Sequence, residues 1–235
     1  MDENFPSEVY LAFLDRTIEI HWVYHALLMV GIWFVLVPFG VIAIRFFKPK
    51  PTACGIEKGT ARLDPKLIWW TVHYGFLYLA IGLAIAGTAL AMVVSGGISG
   101  TVHSIFGLGT VLFGGLQIVS AWFRGTHGGK HDPESDPDDP ATWRGDHFDM
   151  TPRRRWFEAY HKTFGYFAIG LALAATASGL QQYWIPLVAM VLGVIFVVLS
   201  ALAVYLEGQG YRQDTYRSVY GNHPDNPYNK IREGL

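Results

Sequence analysis

The chain has 235 residues, 51% of them hydrophobic and 16% charged, with a mean hydropathy of +0.25 and a formal net charge of −1. That composition belongs to the membrane class, and the near-neutral charge without a basic patch gives no reason to expect nucleic acid as a partner. Cys54 is the only cysteine, which excludes an internal disulfide and a C-x-x-C-H site for covalent haem.

Five apolar stretches, at about 21–46, 67–95, 101–123, 155–178 and 183–206, are long enough to span a bilayer, since roughly 20 residues cover the hydrocarbon core. Backbone in lipid must satisfy its own hydrogen bonds, so these stretches predict five helices and no sheet. The N-terminal tail, residues 1–20, is acidic and lacks the basic and small-residue signals of a cleaved leader, so none is expected. Residues 21–206 form the membrane domain, and 207–235 a polar tail rich in Tyr and Asn, either loosely ordered or ordered against another subunit.

Lys and Arg fall unevenly around the stretches. Loop 1–2 carries Arg45, Lys48, Lys50, Lys58, Arg62 and Lys66, and loop 3–4 carries Arg124, Lys130, Arg144, Arg153, Arg154 and Arg155. The first 20 residues carry only Arg16, and links 2–3 and 4–5 carry none. Positive residues stay inside, so the N-terminus is expected outside and the C-terminus in the cytoplasm, in an integral protein of a bacterial inner membrane.

Loop 3–4, about Gly125–Pro152, sets seven acidic residues from Asp132 to Asp149 among prolines and glycines, with His127, His131 and His147. A solvated irregular loop is the plain expectation. A weak divalent-metal site is the sharper one, although no tight ligand spacing appears, and a docking surface for a partner is a third.

Helices 1 to 4 each carry one histidine near a membrane face: His25, His73, His103 and His161. An intramembrane histidine is costly unless paired or liganded, and four at matched depth point to joint ligation of metal or haem. Consecutive helices run antiparallel, so His25 and His103 meet near the outer face, and His73 and His161 near the inner. With each ligand about seven residues inside its helix, a rise of 1.5 Å per residue puts the two layers roughly 20 Å apart. His103 is followed four residues on by Gly107, and His161 by Gly165. A residue four on shares the helix face, and glycine there leaves room for a flat macrocycle. Close helix packing is the ordinary reading of such a glycine. His21, one turn before His25, competes as the ligand of helix 1. Arg153, Arg154 and Arg155 are positive-inside residues on one reading. On the other, one of them, with Arg155 the candidate, or Lys66, meets the propionates of an inner haem or an anionic donor. Glu158 has no evident role.

These residues together resemble the cytochrome b561 family, in the form of its eukaryotic-type core and bacterial stand-alone relatives. Helix 1 carries His25, Met29, Trp33, Pro38, Gly40 and Arg45; helix 2 His73; helix 3 His103, Gly107 and Gln117; helix 4 Arg155, His161 and Gly165. The match covers about 21–178. The resemblance implies an antiparallel four-helix bundle holding two non-covalent b haems, His25 and His103 on the outer iron and His73 and His161 on the inner, with electrons passing across the membrane. The chain has five helices where the ascorbate-linked members have six, and no fused sugar- or haem-binding domain is expected.

The expected function is therefore a transmembrane electron-transfer cytochrome, since a bis-histidyl haem has no open iron position. The donor and acceptor remain open among quinol, an ascorbate-like reductant and a redox protein, and the assembly between a larger redox complex and a homo-oligomer. The rivals are a quinone-linked cytochrome b subunit, a transporter whose histidines relay protons or bind metal, and a subunit holding haem mainly for assembly. Single cysteines placed in a Cys54-replaced background test the orientation. An impermeant outside reagent should label residues before helix 1 and spare loop 3–4 in intact cells; labelling of loop 3–4 reverses the topology.

Overall fold

Apolar length dictates the architecture, and the computed structural model, which describes residues 8–232, is 64% helical. Five helices are long and apolar enough to cross a membrane: α1 (Trp22–Phe46), α2 (Ile68–Val94), α3 (Val102–Trp122), α4 (Pro152–Gln182) and α5 (Pro186–Gly208). Two short helices follow, α6 (Thr215–Tyr220) and α7 (Pro227–Arg232). Packing concentrates within two hairpins, α1 with α2 and α3 with α4, and α5 leans mainly on α1. The middle of the bundle is filled by Ile32, Trp33 and Val37 of α1, Ala80, Ile81 and Ala84 of α2, and Ala172 of α4. Alanines and one glycine make this approach possible. A Cβ on Gly114 would collide with Ile81 and come within 3.2 Å of the Trp33 ring.

Three local features depart from the expectation. First, the N-terminal tail is not free of sheet. Glu8–Leu11 (β1) pairs antiparallel with Arg16–Glu19 (β2), with Val9 opposite Ile18 and Tyr10 opposite Thr17. Its turn lacks an Asn-Gly or Asp-Gly signal. Instead Asp15 takes a positive φ of 48°, a conformation Asp tolerates, and accepts a hydrogen bond from the Tyr10 hydroxyl at 2.7 Å. Second, α1 contains a π segment at Ile32–Leu36, where Val37 N–H donates to Ile32 O five residues back. Pro38 explains it, because proline has no N–H and its ring crowds the carbonyl four residues earlier. Third, α4 begins at Pro152, not 155. Thr151 caps it by accepting from Arg154 N, with Pro152 in the first turn, as N-terminal helix preferences favour.

Loop 1–2, loop 3–4 and the C-terminal tail pack together as one cap. Ile56 N–H donates to Val219 O at 2.9 Å and Asn222 N–H to Thr52 O at 2.9 Å. Ser218 Oγ donates to Pro49 O at 2.8 Å, Lys130 Nζ to Cys54 O and the Tyr216 hydroxyl to His147 O. Trp143, Phe148, Tyr216, Tyr220 and Tyr228 form its apolar centre. The acidic residues of loop 3–4 tie down their own backbone: Asp132 accepts from Glu134 N, Asp136 from Asp138 N, Asp139 from Ala141 N and Asp149 from Gly145 N. Such side-chain-to-backbone turns are a standard use of Asp. Among the described residues no three His, Cys, Asp or Glu side chains gather to hold a metal ion, so the metal reading of the loop gains no support.

His147 makes the cap sensitive to acid. It is 7% exposed and stacks on Tyr216 at 4.2 Å. Burial, then the charges of Arg154, His127 and Arg124, push its pKa down from 6.5 to about 2. The folded cap therefore holds it neutral while the unfolded chain binds a proton below pH 6.5. Its contribution to stability is complete above pH 6.5 and is lost as pH falls toward the folded value, at about 1.4 kcal/mol per pH unit. Hydrogen exchange at the amides of Ile56 and Asn222 should accelerate between pH 6.5 and 5 after correction for intrinsic rates, and His147→Phe should flatten that dependence.

Candidate functional site

The four intramembrane histidines come together in the two expected pairs. The His25 and His103 rings stand 6.4 Å apart between centres, at 83°, and His73 and His161 are also 6.4 Å apart, at 73°. A metal–imidazole bond is about 2.0–2.1 Å long and the bonded nitrogen lies about 1.1 Å from its ring centre, so a metal midway needs centres about 6.2–6.4 Å apart. Both pairs stand at that separation.

One ring of each pair is held by a backbone carbonyl of a neighbouring helix. His103 Nδ1 lies 2.8 Å from Ala175 O on α4, and His73 Nδ1 lies 3.1 Å from Gly40 O on α1. With Nδ1–H donating, the lone pair rests on Nε2, the tautomer that a ligating histidine uses. Gly40 follows the π segment and Pro38. Gly179 makes room for the other ring, since a Cβ there would stand 2.8 Å from His103 Nδ1. Gly179 was not singled out in the sequence; its signal is a glycine one turn beyond Ala175 in an otherwise regular helix.

The depths differ from the matched ones expected. His25 and His103 lie in the first turn of their helices, whereas the early start of α4 leaves His161 more than two turns in. The layer spacing is preserved. Gly40, the partner of His73, is fifteen residues beyond His25, and Ala175, the partner of His103, is fourteen beyond His161. At 1.5 Å per residue both give roughly 20 Å between layers.

The helix faces four residues past His103 and His161 are open. A Cβ on Gly107 would meet nothing within 4 Å, and one on Gly165 would touch only Gln117, at 3.7 Å. Helix packing therefore does not account for either glycine. Gln117 Nε2 and Oε1 and His161 Nδ1 are buried without a hydrogen-bond partner, and burying polar atoms in that way is costly. The ring separation and the all-imidazole donor set fit a bis-histidyl haem.

Around the loop-side pair the cations are arranged differently from expectation. Arg155 is exposed, as is Lys66. Arg154 is the buried arginine, 8% exposed, and it lies over the Phe157 ring at 4.9 Å. Phe157 in turn stacks on His161 at 5.1 Å. On the opposite side Arg124, not singled out in the sequence, lies over Trp70 at 5.0 Å, and Trp70 lies 6.1 Å from His73. Glu158 gains a role here, pairing with Arg154 at 3.2 Å and Lys162 at 3.5 Å. His21 stays apart from the N-terminal pair. Half exposed, it faces Glu19 at 3.7 Å and the edge of Tyr24.

No family model, curated protein or solved structure matches the chain.

Gly179→Ala should drive the His103 ring from Ala175 O, an overpacking that costs about 1–3 kcal/mol. The purified variant should unfold at a lower temperature than the parent. Gly193→Ala, where a Cβ meets nothing within 4 Å, should not. Equal melting temperatures would remove Gly179 from the site.

Proposed function

We propose that this chain is a membrane electron-transfer cytochrome holding two b haems, one on His25 and His103 and one on His73 and His161. The observation that carries the reading is the repeated 6.4 Å separation of two imidazole pairs joining different hairpins. The resemblance of the helix 1–4 residues to the cytochrome b561 core supports it. A haem would supply an iron that takes up and releases one electron, and each histidine pair would hold one such group.

The chain's own residues would hold, orient and tune the group. Gly40 O and Ala175 O fix the tautomer and tilt of one ring in each pair. Gly107 and Gly165 leave the helix faces flat, and the Trp33–Ile81–Ala172 core keeps water from the space between the layers. Arg124 and Arg154 would meet the carboxylates of the loop-side haem. Glu158 offsets Arg154 at 3.2 Å, so Arg124 would supply most of the charge that favours the reduced state there. In the proposed orientation that haem lies on the cytoplasmic side, which makes it the thermodynamically preferred resting place for an electron.

Purified protein should show a Soret band and two b haems per chain by pyridine haemochrome. His25→Ala or His103→Ala should lower the content to one, and His73→Ala or His161→Ala should remove the other. Gly107→Leu should shift or weaken only the first haem and Gly165→Leu only the second, with Gly193→Leu as an unaffected control. Loss of the same haem from His25→Ala and His73→Ala overturns the pairing. Absence of a Soret band from protein made with ample haem overturns the function and favours a proton- or metal-handling transporter.

A further inference from the structure

On the side of the bundle, at the loop-side end, a groove of about 420 Å3 runs between α1, α4 and α5. Val41 and Phe46 of α1, Tyr166 of α4 and Val204 of α5 form its apolar walls, and Arg45 and Glu207 its polar end. We propose that the groove is a binding site for an anionic phospholipid of the loop-side leaflet. The phosphate sits at Arg45, Lys48 and Arg212, and an acyl chain lies along the walls. The inference does not depend on the haem reading; it concerns how the bundle meets its membrane.

Charge selects the headgroup. Glu207 is held by two arginines. Arg45 donates through Nε and Nη2 to Oε2, at 3.3 and 3.0 Å, and Arg212 through Nη1 to Oε1, at 3.4 Å. Both carboxylate oxygens are engaged, one negative charge faces two positive ones, and N–H groups of both guanidiniums are left over. Lys48, two residues past Phe46, adds a third cation and donates to Thr215 Oγ1 at 3.0 Å. Burial lowers its pKa from 10.5 to about 8, opposed by Asp214 and reinforced by the charges of Lys162, Arg212 and Arg45. These cations repel one another, and an added anion relieves them. A phosphate diester brings a negative charge and acceptor oxygens with no donor of its own, which suits that set. A zwitterionic headgroup also brings an ammonium, which the same cations repel. The rule that basic residues stay inside accounts for the residue types. It does not account for their convergence on the mouth of one groove, and basic pockets between spanning helices are a recurrent form of anionic-lipid site.

The walls select a lipid over a free anion. Tyr166 and Val204 are exposed on helices long and apolar enough to cross a membrane, so the groove opens sideways into hydrocarbon. Ile42 and Phe46, packed on Leu206 of α5, continue the apolar surface at the contact of α1 with α5. Because α5 leans mainly on α1, a chain lying between α4 and α5 fills a gap that no side chain closes.

The test uses the full chain purified in detergent, with phosphatidylglycerol and phosphatidylcholine of identical acyl chains as probes and native mass spectrometry as the readout. The first phosphatidylglycerol should bind about tenfold more tightly than the first phosphatidylcholine. Lys48→Gln and Arg212→Gln should each cut that preference severalfold. Lys58→Gln, the same loss of charge at an exposed position of loop 1–2, should keep it. Val204→Trp fills the groove and should weaken phosphatidylglycerol binding severalfold, whereas Val194→Trp, at an exposed position of the same helix away from the groove, should not. Equal affinity of the unaltered chain for the two lipids overturns the proposal without recourse to any variant. Phosphatidylglycerol binding that Lys48→Gln, Arg212→Gln and Val204→Trp all leave intact also overturns it, since the lipid would then sit elsewhere. So does displacement of phosphatidylglycerol by an equal concentration of inorganic phosphate, because the site would then make no use of the groove.

Discussion

An imidazole inside an apolar bundle has two ring nitrogens, and each needs a partner. An unpaired buried polar group costs about 1–3 kcal/mol by the mutational measure, so four intramembrane histidines impose an obligation on everything around them. In this chain one nitrogen of His73 and one of His103 are satisfied by carbonyls of a neighbouring helix. That requirement reaches deep into the backbone. Gly40 stands just past the proline and the π segment of α1, and Gly179 yields its side-chain space to His103. The two rings of each pair stand 6.4 Å apart between centres, and the proposed haem iron is what would join them.

The same histidines bear on how the bundle holds together. Packing is concentrated within the α1–α2 and α3–α4 hairpins, and each histidine pair joins one hairpin to the other. In lipid there is little hydrophobic drive between helices, so association depends on interlocking shapes and on polar contacts across helices. The small-residue core of Ala80, Ala84, Ala172 and Gly114 supplies the first at mid-bundle. The carbonyl partners of His73 and His103 supply the second, each within its own hairpin. On the proposed reading the cofactors are therefore part of the fold, because a group bound by both hairpins stabilises only the assembled form.

How much of this was legible in the chain varies with the range of the interaction. The five long helices and the pairing of His25 with His103 and His73 with His161 follow from apolar length and alternation, which are properties of sequence spacing. Thr151 and Pro152 spelled out the true start of α4, a local signal overshadowed by the three arginines after it. Arg154 rather than Arg155 faces inward because an earlier start and a fixed 100° step per residue decide which arginine turns toward Phe157. The β1–β2 hairpin escaped notice because its turn relies on Asp15 instead of glycine. The cap was not legible at all. Its contacts join residues 49–56, 126–150 and 214–229 across more than a hundred positions, and its polar composition reads as loop until Tyr216, Tyr220 and Tyr228 are seen against Trp143 and Phe148.

The cap also resolves an apparent contradiction in charge. A loop dense in aspartates sits beside the loop-side histidines, where the proposed haem carboxylates call for cations. The aspartates, however, bind backbone N–H groups of their own turns, while Arg124 and Arg154 are the charges set against the aromatic rings that touch His73 and His161. Charge is thus sorted by reach. Short side chains close local turns at the rim, and long guanidinium stems lay their cations over Trp70 and Phe157, where aromatic faces favour them. The two ends of the bundle share one imidazole spacing but not one electrostatic setting, and on the proposed reading that difference would make the two pairs unequal stations for an electron.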